Sequence, residues 1–162
     1  EDILEFRRML EGQAAEWAAE RATEADLTRL DQAFATLNDA FTADDLERRS
    51  SADIAFHQAV GEASHNALVG HLSAALLRLM HDNIRLNLGE LKSIPAAGSL
   101  LMRQHAAIHA AIRERKPQAA RAAAETHIDF VRETLAQSLR SAARRETAAR
   151  RLNTEFSPST IS

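Results

Sequence analysis

The sequence predicts an all-α fold, an antiparallel bundle of about six to seven helices around a central metal and ligand cavity. Three observations lead there. Glycine (5) and proline (3) are scarce and aromatic residues make up only 4%, so residues that favour turns and strands are few. Apolar residues, 45% of the chain, recur at alternating spacings of three and four along most of its length. The polar residues that interrupt these apolar faces include histidine, aspartate and arginine, side chains that hold ions and anions.

At 162 residues the chain suits one domain with a sizeable core. A net charge of −3 gives no sign of a nucleic-acid-binding surface. Without cysteine there is neither a disulfide framework nor a thiolate metal site. No 18 apolar residues run together and no signal-peptide profile opens the chain, which points to the cytoplasm and away from a membrane. The opening Glu1-Asp2, without an initiator Met, suggests a piece of a longer protein.

The first helix is expected over residues 2 to 21, with Ile3, Arg7, Leu10, Ala14 and Trp17 facing the core. Arg7 is a cation among apolar neighbours. Thr23, with Asp26 three residues on, predicts a capping box that starts a second helix striped by Leu27, Leu30, Phe34 and Leu37. A break at 42 to 45 leads to a third helix over 44 to 63, which carries Asp53, Phe56, His57 and Val60 on one side. Ser64-His65-Asn66 reads as a turn and cap. The fourth helix is expected over 67 to 91, striped by Leu68, Leu72, Leu76 and Leu79 and carrying Arg78, Asn83 and Arg85. Residues 92 to 98 form the clearest loop. A fifth helix over 99 to 115 presents Leu101, His105, Ile108 and Ile112, and Pro117 opens the sixth at a first-turn position. That helix runs to 145 or beyond and lines up Ala120, Ala123, His127 and Val131, then Leu135 and Leu139. The helical domain is placed at 1 to 145, and 146 to 162 is expected to be a basic, then disordered, tail.

Asp53 and His57 stand one helical turn apart, so both side chains leave the same face and can reach one point. His105 and His127 each sit on an apolar face of a further helix. The four together suit a divalent ion: zinc, nickel, manganese or iron. A lone histidine on an apolar face is more often a hydrogen-bonded core residue than a ligand. Three such faces and a carboxylate that needs a partner when buried shift the balance toward a shared cation. A His105/His109 pair is also geometrically open, although His109 lies toward the edge of its stripe. His65, His71 and His81 are expected to be solvated or locally bonded. The single Glu62-Ala-Ser-His65 is too little for a di-iron site, which needs two such motifs. Arg7 has two readings, a pairing with Glu11 one turn on or a bidentate grip on an organic carboxylate beside the metal. Arg78, Asn83 and Arg85 are candidates for further polar contacts.

Glu5-Phe6-Arg7-Arg8-Met9-Leu10-Glu11, Asp53-x-x-Phe56-His57, the Ala63-Ser64-His65-Asn66 turn, His105-x-x-Ile108 before Ala111-Ile112, and Ala119-Ala120-Arg121 leading to His127-Ile128 together resemble the C-terminal effector-binding (FCD) domain of FadR-type GntR transcription regulators. The resemblance covers residues 2 to 139. It implies an effector-binding domain that follows an N-terminal winged helix-turn-helix in a homodimer of a bacterial, cytoplasmic regulator. It also implies a divalent metal, zinc first, held by Asp53, His57, His105 and His127, with Arg7 beside an effector pocket for small carboxylates such as hydroxy acids and sugar acids. No winged helix lies within these residues, so DNA would be reached only through a separate domain. Other classes left open are a metal-dependent hydrolase, with Glu62 the nearest candidate base, and a metal-bound dimerisation module.

Overall fold

The computed structural model describes residues 2–43, 45–91 and 97–155. Among them there are seven helices and no strand: α1 (Asp2–Arg21), α2 (Glu24–Thr42), α3 (Leu46–Ala63), α4 (Ala67–Leu79), α5 (His81–Leu91), α6 (Ala97–Arg113) and α7 (Pro117–Glu155). The helix starts follow from local chemistry. Thr23 Oγ accepts from Asp26 N at 3.2 Å while Asp26 Oδ2 accepts from Thr23 N at 2.9 Å, which closes the capping box of α2. Asp45 caps α3 through Arg48 N, and the Asn66 side chain caps α4 through Leu68 N and Val69 N. The turn between α3 and α4 closes at His65, whose φ is 51°.

Thr23→Ala is expected to cost about 1 kcal/mol, seen as a fall of about 2–4 °C in Tm; an unchanged Tm would make the cap redundant. Burial alone would raise the Asp26 carboxyl, but hydrogen bonds from Thr23, His65 and Arg29 hold it well below the usual carboxylate range. The stability it contributes is therefore whole above about pH 4 and is lost as the pH falls.

Four differences from the expected elements have local causes. The long fourth helix breaks at Met80, whose φ and ψ of −93° and 0° leave the α region, and α4 and α5 are separate elements without a proline or glycine between them. Leu4 (5% exposed) turns inward on α1 and Ile3 (45%) does not, because Leu4, Arg7 and Glu11 fall on one line toward α3 and α7. On α4 the buried line is Val69, Ser73 and Leu77, which leaves Leu68, Leu72 and Leu79 exposed and Leu76 half-buried. Finally, α7 continues through residues expected to be a tail and reaches Glu155; its alanine and arginine content favours helix. Leu139 lies on this projecting part and is exposed. Of the predicted loop, 97 and 98 already belong to α6, while residues 92–96 and 156–162 lie outside the described residues.

α1 packs along α7, α2 along α3 and α6 along α7. The larger apolar cluster joins Leu10, Leu30, Leu37, Phe56, Ile108 and Ile112 with many alanines, and a smaller one gathers Leu4, Leu77, Met80, Ile84, Leu88 and Leu101. α1, α3, α6 and α7 bring buried polar side chains to the region between these clusters.

Candidate metal centre

His57 on α3, His105 on α6 and His127 on α7 meet inside the bundle, each at most 5% exposed. One ring nitrogen from each lies within 4.8 Å of the others. His105 Nε2 stands 3.3 Å from His57 Nε2 and 3.1 Å from Asp53 Oδ1. Asp53 and His57 reach the site together because they are one turn apart on α3. Phe56 lies edge-on to both His57 and His105, at ring angles of 79° and 89°, and walls the cluster on the side of the larger core.

These spacings fit a divalent metal. An ion bonded to two nitrogens at about 2.1 Å separates them by about 3.0–3.4 Å, the spacing of the His57 and His105 Nε2 atoms. Without a metal, one proton on His105 Nε2 can serve either Asp53 or His57; the side chains whose ligand atoms are close enough to share one cation are His57, His105 and His127, and Asp53 reaches this group through His105. The rings are prepared for a cation. Burial pushes His105 down despite Asp53, and burial with the neighbouring imidazoles pushes His127 well below its usual value, so both favour the neutral, ligating form. Burial would raise the Asp53 carboxyl, but the His105 hydrogen bond and the charges of His57, His105 and Arg7 bring it down to about 2.

The outer nitrogens of two rings are also engaged. His57 Nδ1 is 2.8 Å from Glu11 Oε2, and His127 Nδ1 is 3.3 Å from Gln104 Oε1. In both rings this leaves Nε2 turned toward the cluster; the His127 contact is a hydrogen bond of the kind that fixes the tautomer of a ligating histidine, whereas Glu11 Oε2 lies close to His57 without a well-directed one. Neither Glu11 nor Gln104 was singled out as part of the site from sequence. The signal for Glu11 was its place one turn after Arg7 on a buried face, and it was read only as a neutralising neighbour.

Arg7, 1% exposed, is bonded through Nε to Glu11 Oε1, and its Nη2 is buried without a hydrogen-bond partner. With Asp53 and His127 it forms the polar end of a cavity of about 30 Å³, whose apolar walls include Leu4, Ile84, Leu88 and Leu101. Of the other expected contacts, Arg78 and Arg85 are exposed instead, because the inward turn of Leu77 and Ile84 carries their neighbours to the outside. The Asn83 side chain lies outside the described residues. His109 is drawn off to Asp31, at 2.7 Å, and stacks on Phe34. His65 bonds Asp26, His71 bonds the Ala67 carbonyl and His81 lies near Glu47. Glu62 is exposed and bonded to Gln58, away from the cluster.

The FCD domain profile matches residues 2–130. The chain belongs to the FCD domain family. This FCD domain is 31% identical over 137 residues to the Glc operon transcriptional activator of Escherichia coli K12, covering 83% of the chain and 54% of that protein. It is 35% identical over 128 residues to the galactonate operon transcriptional repressor of the same strain, covering 78% and 53%. To the HTH-type transcriptional regulator LutR of Bacillus subtilis it is 34% identical over 137 residues, covering 82% and 60%. The solved structure of Streptococcus agalactiae GntR superposes with a TM-score of 0.69 at 29% identity, covering 82% of this chain and 57% of that one. The chain thus spans about half the length of the curated relatives it matches. It is a regulatory, effector-binding domain of the GntR type, and its relatives are regulators of transcription, not enzymes. No helix among the described residues is long and apolar enough to cross a membrane.

Proposed function

We propose that this FCD domain is the ligand-sensing part of a cytoplasmic, FadR-type bacterial transcription factor. It holds a divalent metal, zinc first, on Asp53, His57, His105 and His127. A small 2-hydroxycarboxylate then binds with its carboxylate on Arg7 and a further oxygen toward the metal, and binding changes how a separate winged-helix domain meets DNA. The observation that carries this reading is the buried Arg7 Nη2, unpartnered at the same cavity that Asp53 and His127 line. An unpaired guanidinium N–H in an apolar cavity is costly, and a carboxylate is its natural partner. The names of two relatives support the ligand class, since one is called a galactonate operon transcriptional repressor and another a putative L-lactate dehydrogenase operon regulatory protein; lactate and galactonate are both 2-hydroxy acids.

About 30 Å³ holds about two waters. A larger acid can enter only if the walls on α5, α6 or α7 move apart, and that movement is the signal: the ligand favours the more open arrangement and shifts the population toward it. We also propose a homodimer. Leu68, Leu72 and Leu79, with the exposed Ala75 between them, form a spaced apolar stripe on the outer face of α4, suited to a second copy.

The test is metal analysis of the purified protein, light scattering on the same sample, and calorimetry against L-lactate, D-galactonate and related acids. The expected result is a dimer with one metal per chain that binds one of these acids without turnover. Product formation, or a protein free of metal after expression in zinc, overturns the reading.

A further inference from the structure

Glu11 touches both halves of the proposed site without lining its cavity. Glu11 is 6% exposed; Oε1 takes the Arg7 Nε–H, and Oε2 lies 2.8 Å from His57 Nδ1, close enough to pair but without a well-directed hydrogen bond. We propose that Glu11 is a positioning residue that sets His57 for the metal with one oxygen and, by holding Arg7 with the other, makes metal and carboxylate binding reinforce each other. The inference rests on the metal-and-carboxylate reading above.

The geometry supports the first half. A proton on His57 Nδ1, the nitrogen 2.8 Å from Glu11, leaves the Nε2 lone pair facing His105, and a carboxylate behind an imidazole raises its strength as a ligand. Charge balance supports the second half. With the three imidazoles counted neutral, Arg7, Glu11 and Asp53 leave the buried cluster one negative charge, which repels an incoming anion. A divalent ion reverses that to one positive charge, and a monocarboxylate then neutralises it. An anion on Arg7 also draws on the guanidinium that Glu11 now shares, which leaves more of the Glu11 charge for His57 and its metal. By linkage, a metal that favours the anion is favoured by it to the same degree.

Zinc affinity of the full-length protein is read by chelator competition, with and without formate, a carboxylate small enough for the cavity as it stands. Glu11→Gln, which keeps the shape and removes the charge, is expected to weaken zinc binding about 10–100-fold although Glu11 is not a ligand. Formate is expected to tighten zinc in the wild type several-fold and to do so less in Glu11→Gln. If the wild type binds zinc and Glu11→Gln binds it equally well, or formate acts equally on both, this inference falls and the sensing reading stands. A wild type that binds no zinc removes both. A measurement without any variant covers the case in which Glu11→Gln does not fold: long-range nitrogen–proton spectra of the metal-free wild type should show His57 protonated on Nδ1, and a proton on Nε2 instead overturns the proposal.

Discussion

His105→Ala is expected to reduce zinc affinity by more than about a hundredfold, beyond the 10–100-fold typical of losing an outer partner. His105 is fully buried and its Nε2 stands within 3.3 Å of both His57 Nε2 and Asp53 Oδ1, so no other side chain can take its position. His127→Ala should behave alike. His109→Ala supplies the control, since His109 is one turn farther along α6 but bonded to Asp31 and stacked on Phe34. Its metal content should match the wild type. Metal retained after dialysis of His105→Ala, or lost from His109→Ala, would move the centre to the other histidine.

The second large effect concerns folding. Arg7→Met is expected to destabilise the metal-free protein by about 3–5 kcal/mol in urea unfolding, because it strands the buried Glu11 carboxylate. Arg7→Met with Glu11→Met should recover much of that loss, since a buried pair replaced by apolar groups leaves no stranded charge. The pH dependence carries a sign that checks the cause. Burial would raise the Glu11 carboxyl, but the charges of Arg7 and His57 outweigh it and bring it down to about 2. In the wild type its contribution is therefore complete above about pH 4.3 and is lost as the pH falls toward 2. In Arg7→Met much of the opposing charge is gone, burial raises the carboxyl, and stability should fall less, or rise, over the same interval. A double variant no more stable than Arg7→Met would show that the lost arginine contacts, not the stranded charge, set the cost.

The helical fold and the gathering of buried histidines were legible because both depend on spacing within one helix. Asp53 and His57 share a face whatever surrounds α3, and apolar neighbours at three and four residues turn His105 and His127 inward. Contacts between helices were less visible. Glu11 can be seen from sequence as a partner for Arg7 four residues away, but its contact with His57 crosses 46 positions and depends on how α1 lies against α3. Arg78 and Arg85 were misplaced for a related reason: one buried line, Val69, Ser73, Leu77, Met80, Ile84 and Leu88, runs across the break at Met80, and which line of a leucine-rich helix turns inward depends on what packs against it. The leucines of α4 show a further limit. Their spacing marks an apolar stripe but not whether it is covered by this chain or by another.

The 39-residue length of α7 has a mechanical consequence. His127 is fixed at the centre of the bundle, and Glu155 lies 28 residues farther along the same helix, about 42 Å away if the helix is straight. Such a rod would act as a lever arm: tilting it by about 5° about His127 sweeps the end at Glu155 through about 4 Å and the exposed Arg144 and Arg145, part-way along, through about 2 Å. A displacement at the ring too small to break a hydrogen bond thus becomes, at the tip, a step comparable to the distance between adjacent residues.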